Sequence, residues 1–224
     1  MRLIEKVFLI YGALRSVGKV LVVIGALVSP AWAGEPVTVL ALGDSLTQGY
    51  GLPEEEGFVP QMRNWLDGHG VAAVLINGGV SGDTTAGAAA RVEWSLTPDV
   101  DAMIVTLGGN DLLRGIDPAV SRENIEKILQ VAEARDVEVL LVPMAAPGNY
   151  GAGYKAEFDA IYPELSEDYA AVLAPGFFAG LGEDDPAELQ RHFQPDGIHP
   201  NAAGVRLIVE ALGPHVADLI AAAR

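Results

Sequence analysis

The stretch Val37-Thr38-Val39-Leu40-Ala41-Leu42-Gly43-Asp44-Ser45-Leu46 decides how the chain is read. A short apolar run stopped by a glycine suits a strand buried on both faces of a parallel sheet. Similar runs lie at Ala72 to Ile76, Ala102 to Leu107 and Val137 to Val142, with a weaker fifth at Ala171 to Leu173. Helical patterns separate them. Phe58, Met62, Trp65 and Leu66 share one stripe that ends at Gly68, and Thr84 to Leu96 is rich in alanine. Asp117-Pro118 supplies a side-chain cap and a proline at the first helical position, ahead of Ile125, Ile128, Leu129 and Ala132 on one face. Lys155 to Tyr169 and Asn201 to Ala223 complete the set, the last read as interrupted at Gly213-Pro214.

Strands alternating with helices predict an α/β fold with a parallel sheet covered on both faces. Ligands then bind beyond the carboxyl ends of the strands. No repeat, low-complexity stretch or linker divides the chain, so residues 34–224 read as one domain.

Half of the 224 residues are apolar, enough for one proper core. The formal net charge is -16, from 14 basic and 30 acidic residues. Such a surface repels nucleic acid and anionic membrane faces, which reward clustered Lys and Arg. The chain has no cysteine, which excludes disulfides, thiol catalysis and Cys-based metal sites.

The beginning of the chain differs from the rest. Arg2, Lys6, Arg15 and Lys19 precede the apolar run Val20 to Val28, and Ala31-Trp32-Ala33 follows. A basic start, a short apolar core and an A-x-A end are the parts of a secretory signal peptide, expected here over residues 1–33. The core falls short of the about 20 residues that a spanning helix needs. The basic region also holds its own apolar patch, Val7 to Leu14, which leaves room for an uncleaved anchor or a start codon assigned too far upstream. The expected location is the periplasm or the exterior, with no stable membrane insertion after processing.

Chemistry-bearing residues gather where strands end. Gly43-Asp44-Ser45-Leu46 follows the first strand, Gly78-Gly79-Val80-Ser81-Gly82-Asp83-Thr84 the second and Gly108-Gly109-Asn110-Asp111 the third. Asp196-Gly197-Ile198-His199-Pro200-Asn201 precedes the last helix. Acyl transfer needs an exposed hydroxyl, an imidazole to deprotonate it and a third group to fix the imidazole's tautomer. Ser45 sits on a strand-to-helix turn. The spacing of Asp196 and His199 lets a tight turn bring the carboxylate to one ring nitrogen and leave the other for Ser45. The backbone N–H groups of Ser45 and Gly82, with the Asn110 side-chain amide, would serve as oxyanion donors. Each segment alone reads equally well as turn chemistry; all four on one sheet edge do not.

These blocks resemble the SGNH (GDSL) hydrolase superfamily, whose Ser, Gly, Asn and His correspond to Ser45, Gly82, Asn110 and His199, with Asp196 completing the triad. Within it, the chain is most similar to the bacterial acyl-CoA thioesterase I, lysophospholipase and arylesterase group. Thr47 to Tyr50, Leu113-Arg114-Gly115, Asn149-Tyr150-Gly151 and Ala160 to Pro163 extend the likeness, which spans Val37 to about Pro214. The resemblance implies a flavodoxin-like three-layer α/β/α fold with a five-stranded parallel sheet, no metal and no cofactor. It also implies a small-molecule acyl ester or thioester substrate. Gly78-Gly79 and the stretch Gly51 to Glu56 depart from the family's pattern beside the site, so substrate preference does not carry over.

Other residues have plainer readings. Asp44 braces the turn or caps the helix, Asp83 and Asp111 brace loops, and Glu54-Glu55-Glu56 is a solvated loop. Trp65 and Trp94 sit at core spacing, while His69 and His215 read as surface residues. His192, on the approach to His199, lines the pocket or packs elsewhere. Tyr150 and Tyr154 lie in a Gly-rich loop after the fourth strand and either contact substrate or pack that loop.

Rival functions remain in view. A zinc hydrolase could draw on His192, Asp196, His199 and Asp44, though it leaves Ser45 and Asn110 without a role. A non-catalytic binding protein would be expected to have lost the Ser or the His. A carbohydrate O-deacetylase would use the same catalytic parts on acetylated sugars.

Overall fold

The computed structural model describes residues 35–182 and 189–224; the expected signal peptide lies outside them. Five strands form one sheet: β1 (Val37–Gly43), β2 (Ala73–Gly79), β3 (Ala102–Thr106), β4 (Glu138–Leu141) and β5 (Val172–Leu173). Their order is β2-β1-β3-β4-β5 and every pairing is parallel. The expected three-layer α/β/α architecture is present.

The α-helices that accompany the sheet include α1 (Ser45–Gln48), α2 (Phe58–Gly68), α3 (Thr85–Ser95), α4 (Gly109–Arg114), α5 (Pro118–Glu133), α6 (Ala152–Asp168) and α7 (Ala202–Ala222). α2 and α7 pack together as one layer, while α3, α5 and α6 pack in sequence as the other. Right-handed crossovers between parallel strands force that division, because the chain first steps from β1 to β2 and then reverses toward β3. Side-chain caps set the helix starts. Asp117 accepts from Ala119 N–H, Thr84 from Gly87 N–H and Asn201 from Ala203 and Gly204 N–H. Among the described residues, no helix is long and apolar enough to cross a membrane.

Register aligns the site. Gly43, the last residue of β1, stands opposite Gly79 of β2 and Thr106 of β3. The segments that leave these strands therefore emerge side by side at one end of the sheet.

Three expectations are corrected. β2 continues through Gly78 and Gly79 instead of ending before them. A Cβ at Gly79 would lie 2.2 Å from the Gln48 nitrogen, so the missing side chain lets α1 rest directly on the strand. The last helix runs unbroken through Gly213-Pro214. Pro214 is exposed, so the Glu210 carbonyl that loses its helical partner faces solvent. Gly213 faces inward, where a Cβ would be 2.5 Å from the Trp65 indole. Trp94 is 72 % exposed. The buried side of α3 runs through Thr85, Ala88, Ala89 and Val92, and two residues beyond Val92 is the opposite face.

Candidate active site

Ser45 opens α1 directly after β1, and Asp44 caps that turn by accepting from Leu46 N–H at 3.0 Å. The imidazole of His199 faces Ser45, with Nε2 2.9 Å from the hydroxyl oxygen. Its other nitrogen, Nδ1, lies 2.6 Å from Asp196 Oδ2. A carboxylate only accepts, so Nδ1 carries the proton and Nε2 is left to accept the Ser45 hydroxyl.

The Asp-x-x-His turn has the geometry its spacing suggested. Gly197 takes φ 67°, and Asp196 Oδ1 accepts the backbone N–H of both Ile198 and His199. The hydrogen bonds from the His199 ring and backbone, then from Ile198, lower the Asp196 pKa from 3.8 to about 2. Asp196 thus stays ionised across the whole range in which histidine titrates.

The remaining predicted residues converge on the same place. Ser45, Gly82, Asn110 and His199 line one open cavity of about 790 Å³. Gly82 adopts φ 80°, a conformation that favours glycine. Asn110 lies in the first turn of α4, which follows Gly108 at φ 106°. Leu112, Leu113, Met144, Tyr150, Phe178 and Ile198 give the cavity its apolar walls.

The surrounding acidic residues have distinct tasks. Asp111 is fully buried and accepts from Thr85 N–H, Thr85 Oγ1 and Ser121 Oγ, tying α3, α4 and α5 together. Asp83 pairs with Arg91, whose Nη2 also donates to Gly43 O. Both are the braces expected. Asp44 is 2 % exposed, and Asn110 Nδ2 donates to its Oδ2 at 3.2 Å. Burial pushes the Asp44 pKa up to about 6, against the pull of the Leu46 and Asn110 donors and of nearby His199.

His192 does not line the cavity; its neighbour Phe193 does. His192 sits in a turn, its N–H donating to Leu189 O, and Phe193 follows as the residue that bridges to Pro200. The His192 carbonyl instead accepts from Asn201 N–H, under the start of α7. Tyr150 lines the cavity, whereas the Tyr154 hydroxyl donates to Ile116 O. Among the described residues, no three His, Cys, Asp or Glu side chains converge as a set that could hold a metal ion.

Three features escaped the sequence reading. Arg114 Nη2 donates to Gly82 O at 2.7 Å, fastening one candidate donor loop to α4. Gln194 donates from Nε2 to Tyr50 O at 2.8 Å and to Pro200 O at 3.1 Å, while its own N–H donates to His199 O. The Tyr50 ring packs against His199. Arg114 and Tyr50 stand inside the family-like blocks, but Gln194 carries no motif and only the folded chain shows its task.

Comparison with known proteins shows the family. The profile of the GDSL-like Lipase/Acylhydrolase family matches residues 41–207. The chain is 34% identical over 184 residues to Esterase TesA of Pseudomonas aeruginosa, covering 82% of this chain and 89% of the relative. It is 33% identical over 184 residues to the Thioesterase 1/protease 1/lysophospholipase L1 of Escherichia coli, covering 82% and 85%. Among solved structures, AlinE4, an SGNH-hydrolase family esterase, superposes with a TM-score of 0.67 at 44% identity, covering 83% of this chain and 97% of that one. The chain belongs to the GDSL-like lipase/acylhydrolase family and is an SGNH ester hydrolase.

Proposed function

We propose that the protein cleaves carboxylic esters and thioesters through an acyl-enzyme on Ser45. The continuous chain Asp196–His199–Ser45, with contacts of 2.6 and 2.9 Å, carries this reading. His199 takes the hydroxyl proton as Ser45 Oγ attacks the substrate carbonyl, and Asp196 holds the resulting imidazolium. The carbonyl oxygen becomes an oxyanion that accepts from Ser45 N–H, Gly82 N–H and the Asn110 amide. His199 then returns the proton to the departing alkoxide or thiolate. Water, deprotonated by the same imidazole, releases the acid and restores the serine.

The apolar walls favour acyl chains and aryl groups over sugars. Relatives named esterase, thioesterase and lysophospholipase support the same class, with acyl-CoA, aryl esters and lysophospholipids as candidates. A carbohydrate O-deacetylase would use the same parts, with Ser81, Asn149 and the tyrosines as the further polar lining open to a sugar. The leader-like residues 1–33 support action in the periplasm or outside the cell.

A fluorophosphonate should label Ser45, and Ser45→Ala should lose both label and hydrolysis. Removing such a nucleophile costs up to about 10⁶ in kcat. Activity within tenfold of wild type would sink the mechanism. A panel of p-nitrophenyl esters from acetyl to palmitoyl, beside acyl-CoA and lysophospholipid, defines the substrate. A sharp optimum at acetyl would favour the deacetylase.

A further inference from the structure

We infer that Asp44 is a positioning residue that decides which way round the Asn110 side chain stands, so that an N–H and not the amide oxygen faces the cavity. The inference rests on the proposed role of Asn110 as an oxyanion donor.

The two ends of an asparagine amide have nearly the same shape and opposite hydrogen-bonding character. Packing alone hardly distinguishes them, and the partners must. A flipped Asn110 would present Oδ1 to a carbonyl oxygen gaining negative charge, which opposes the reaction instead of assisting it.

Asp44 supplies the missing choice. Its carboxylate is buried, Oδ1 already accepts from Leu46 N–H, and Oδ2 accepts from Asn110 Nδ2 at 3.2 Å. An ionised carboxylate can only accept. Turning Asn110 over would bring two acceptors together with little solvent to separate them, which costs more than losing an exposed hydrogen bond. The amide nitrogen holds two hydrogens. One goes to Asp44, and the second remains for the cavity that Asn110 lines.

The approach is close along the backbone as well. A Cβ at Gly109 would lie 3.4 Å from Asp44 Oδ2, so the first turn of α4 is seated against the carboxylate. The residue before the nucleophile thereby fixes a donor arriving from another strand.

A double-mutant cycle tests this. Asp44→Asn exchanges the acceptor-only group for one that tolerates either orientation. Asp44→Ser keeps an N-cap acceptor for Leu46 but is too short for Asn110, and it serves if the first variant folds poorly. Each is made alone and with Asn110→Ala, with kcat, KM and melting temperature measured on the same preparations. Either single variant should lower kcat by roughly 10- to 100-fold at nearly constant KM, less than the roughly 10²–10³ for outright loss of an oxyanion donor because a misoriented amide still turns over part of the time. On the Asn110→Ala background the same change should alter kcat less than about twofold.

A wild-type kcat in both Asp44 variants would overturn the inference. So would a loss that persists undiminished when Asn110 is already alanine, because Asp44 would then act by another route. A wild-type kcat in Asn110→Ala alone would remove the donor role and this inference together, while leaving Ser45 labelling intact.

Discussion

The ring of Tyr50 lies against the imidazole of His199, with centroids 4.6 Å apart and planes 37° apart. The Tyr50 carbonyl accepts from Gln194, whose own N–H donates to the His199 carbonyl. One glutamine thus ties the segment after Ser45 to the loop that brings the histidine.

Gln194→Leu should therefore lower kcat by about fivefold, near the worth of one hydrogen bond, with KM little changed. Fluorophosphonate should label Ser45 more slowly in proportion, since both reactions need the imidazole in reach of the hydroxyl. Equal labelling rates in the variant and the wild type would show that the brace does not set that contact.

Arg114 does for Gly82 what Gln194 does for His199. Its guanidinium holds the Gly82 carbonyl and with it the orientation of the peptides around that exposed, positive-φ residue. Arg114→Ala should cost about three- to tenfold in kcat, and Arg114→Lys should recover only part, because an ammonium lacks the planar fork. Unchanged turnover in the alanine variant would leave the Gly82 loop self-supporting.

Gly79→Ala should destabilise the protein and impair hydrolysis together. The added methyl meets the Gln48 backbone, which cannot rotate aside, and the helix it displaces begins with Ser45. Overpacking of this kind costs about 2–3 kcal/mol, a fall of roughly 5–10 °C for a domain of this size. Thermal unfolding beside a kinetic assay measures both effects, and a variant with wild-type melting and turnover would contradict the close approach.

Asp44 gives stability a definite pH dependence. Its pKa rises from 3.8 to about 6 on folding, chiefly because burial disfavours the charge. A raised folded pKa means its contribution is fully present below pH 3.8 and is lost as pH climbs through 6. Asp196 works the opposite way, stabilising above pH 3.8 and losing that contribution as pH falls toward 2. Comparing wild type with Asp44→Asn cancels the Asp196 contribution. Between pH 4 and pH 8 the variant should gain on wild type by on the order of 3 kcal/mol. A difference that stays flat with pH would mean that Asp44 is not held at a raised pKa.

The sheet was legible because each buried strand is written as a compact apolar run, from Val37 to Leu42 onward. The residues brought together at its end were legible because Ser45, Gly82, Asn110 and His199 stand in recognisable blocks beside those runs. Trp94 was misread because an aromatic near helical spacing suggests core, and only the phase set by Ala88 and Val92 turns it outward. Pro214 suggested a break, but the exposed face it occupies makes its missing hydrogen bond tolerable. Links such as Gln194 to Tyr50 or Arg114 to Gly82 join segments far apart in the chain through side chain and carbonyl. Carbonyls are identical in every residue, so no pattern of letters announces such bonds.

Ser45 and His199 are separated by 154 positions along the chain, yet they meet at 2.9 Å. The serine is laid down with the first strand, and its imidazole arrives just ahead of the final helix. Until the His199 loop arrives, the Ser45 hydroxyl lacks the imidazole contact that the proposed mechanism requires. During synthesis, the contact on which the proposed mechanism depends therefore cannot form until nearly the whole chain has been made. On that mechanism a growing chain should pass acyl esters without attacking them, and recovery of hydrolysis after dilution from denaturant should lag the return of the sheet.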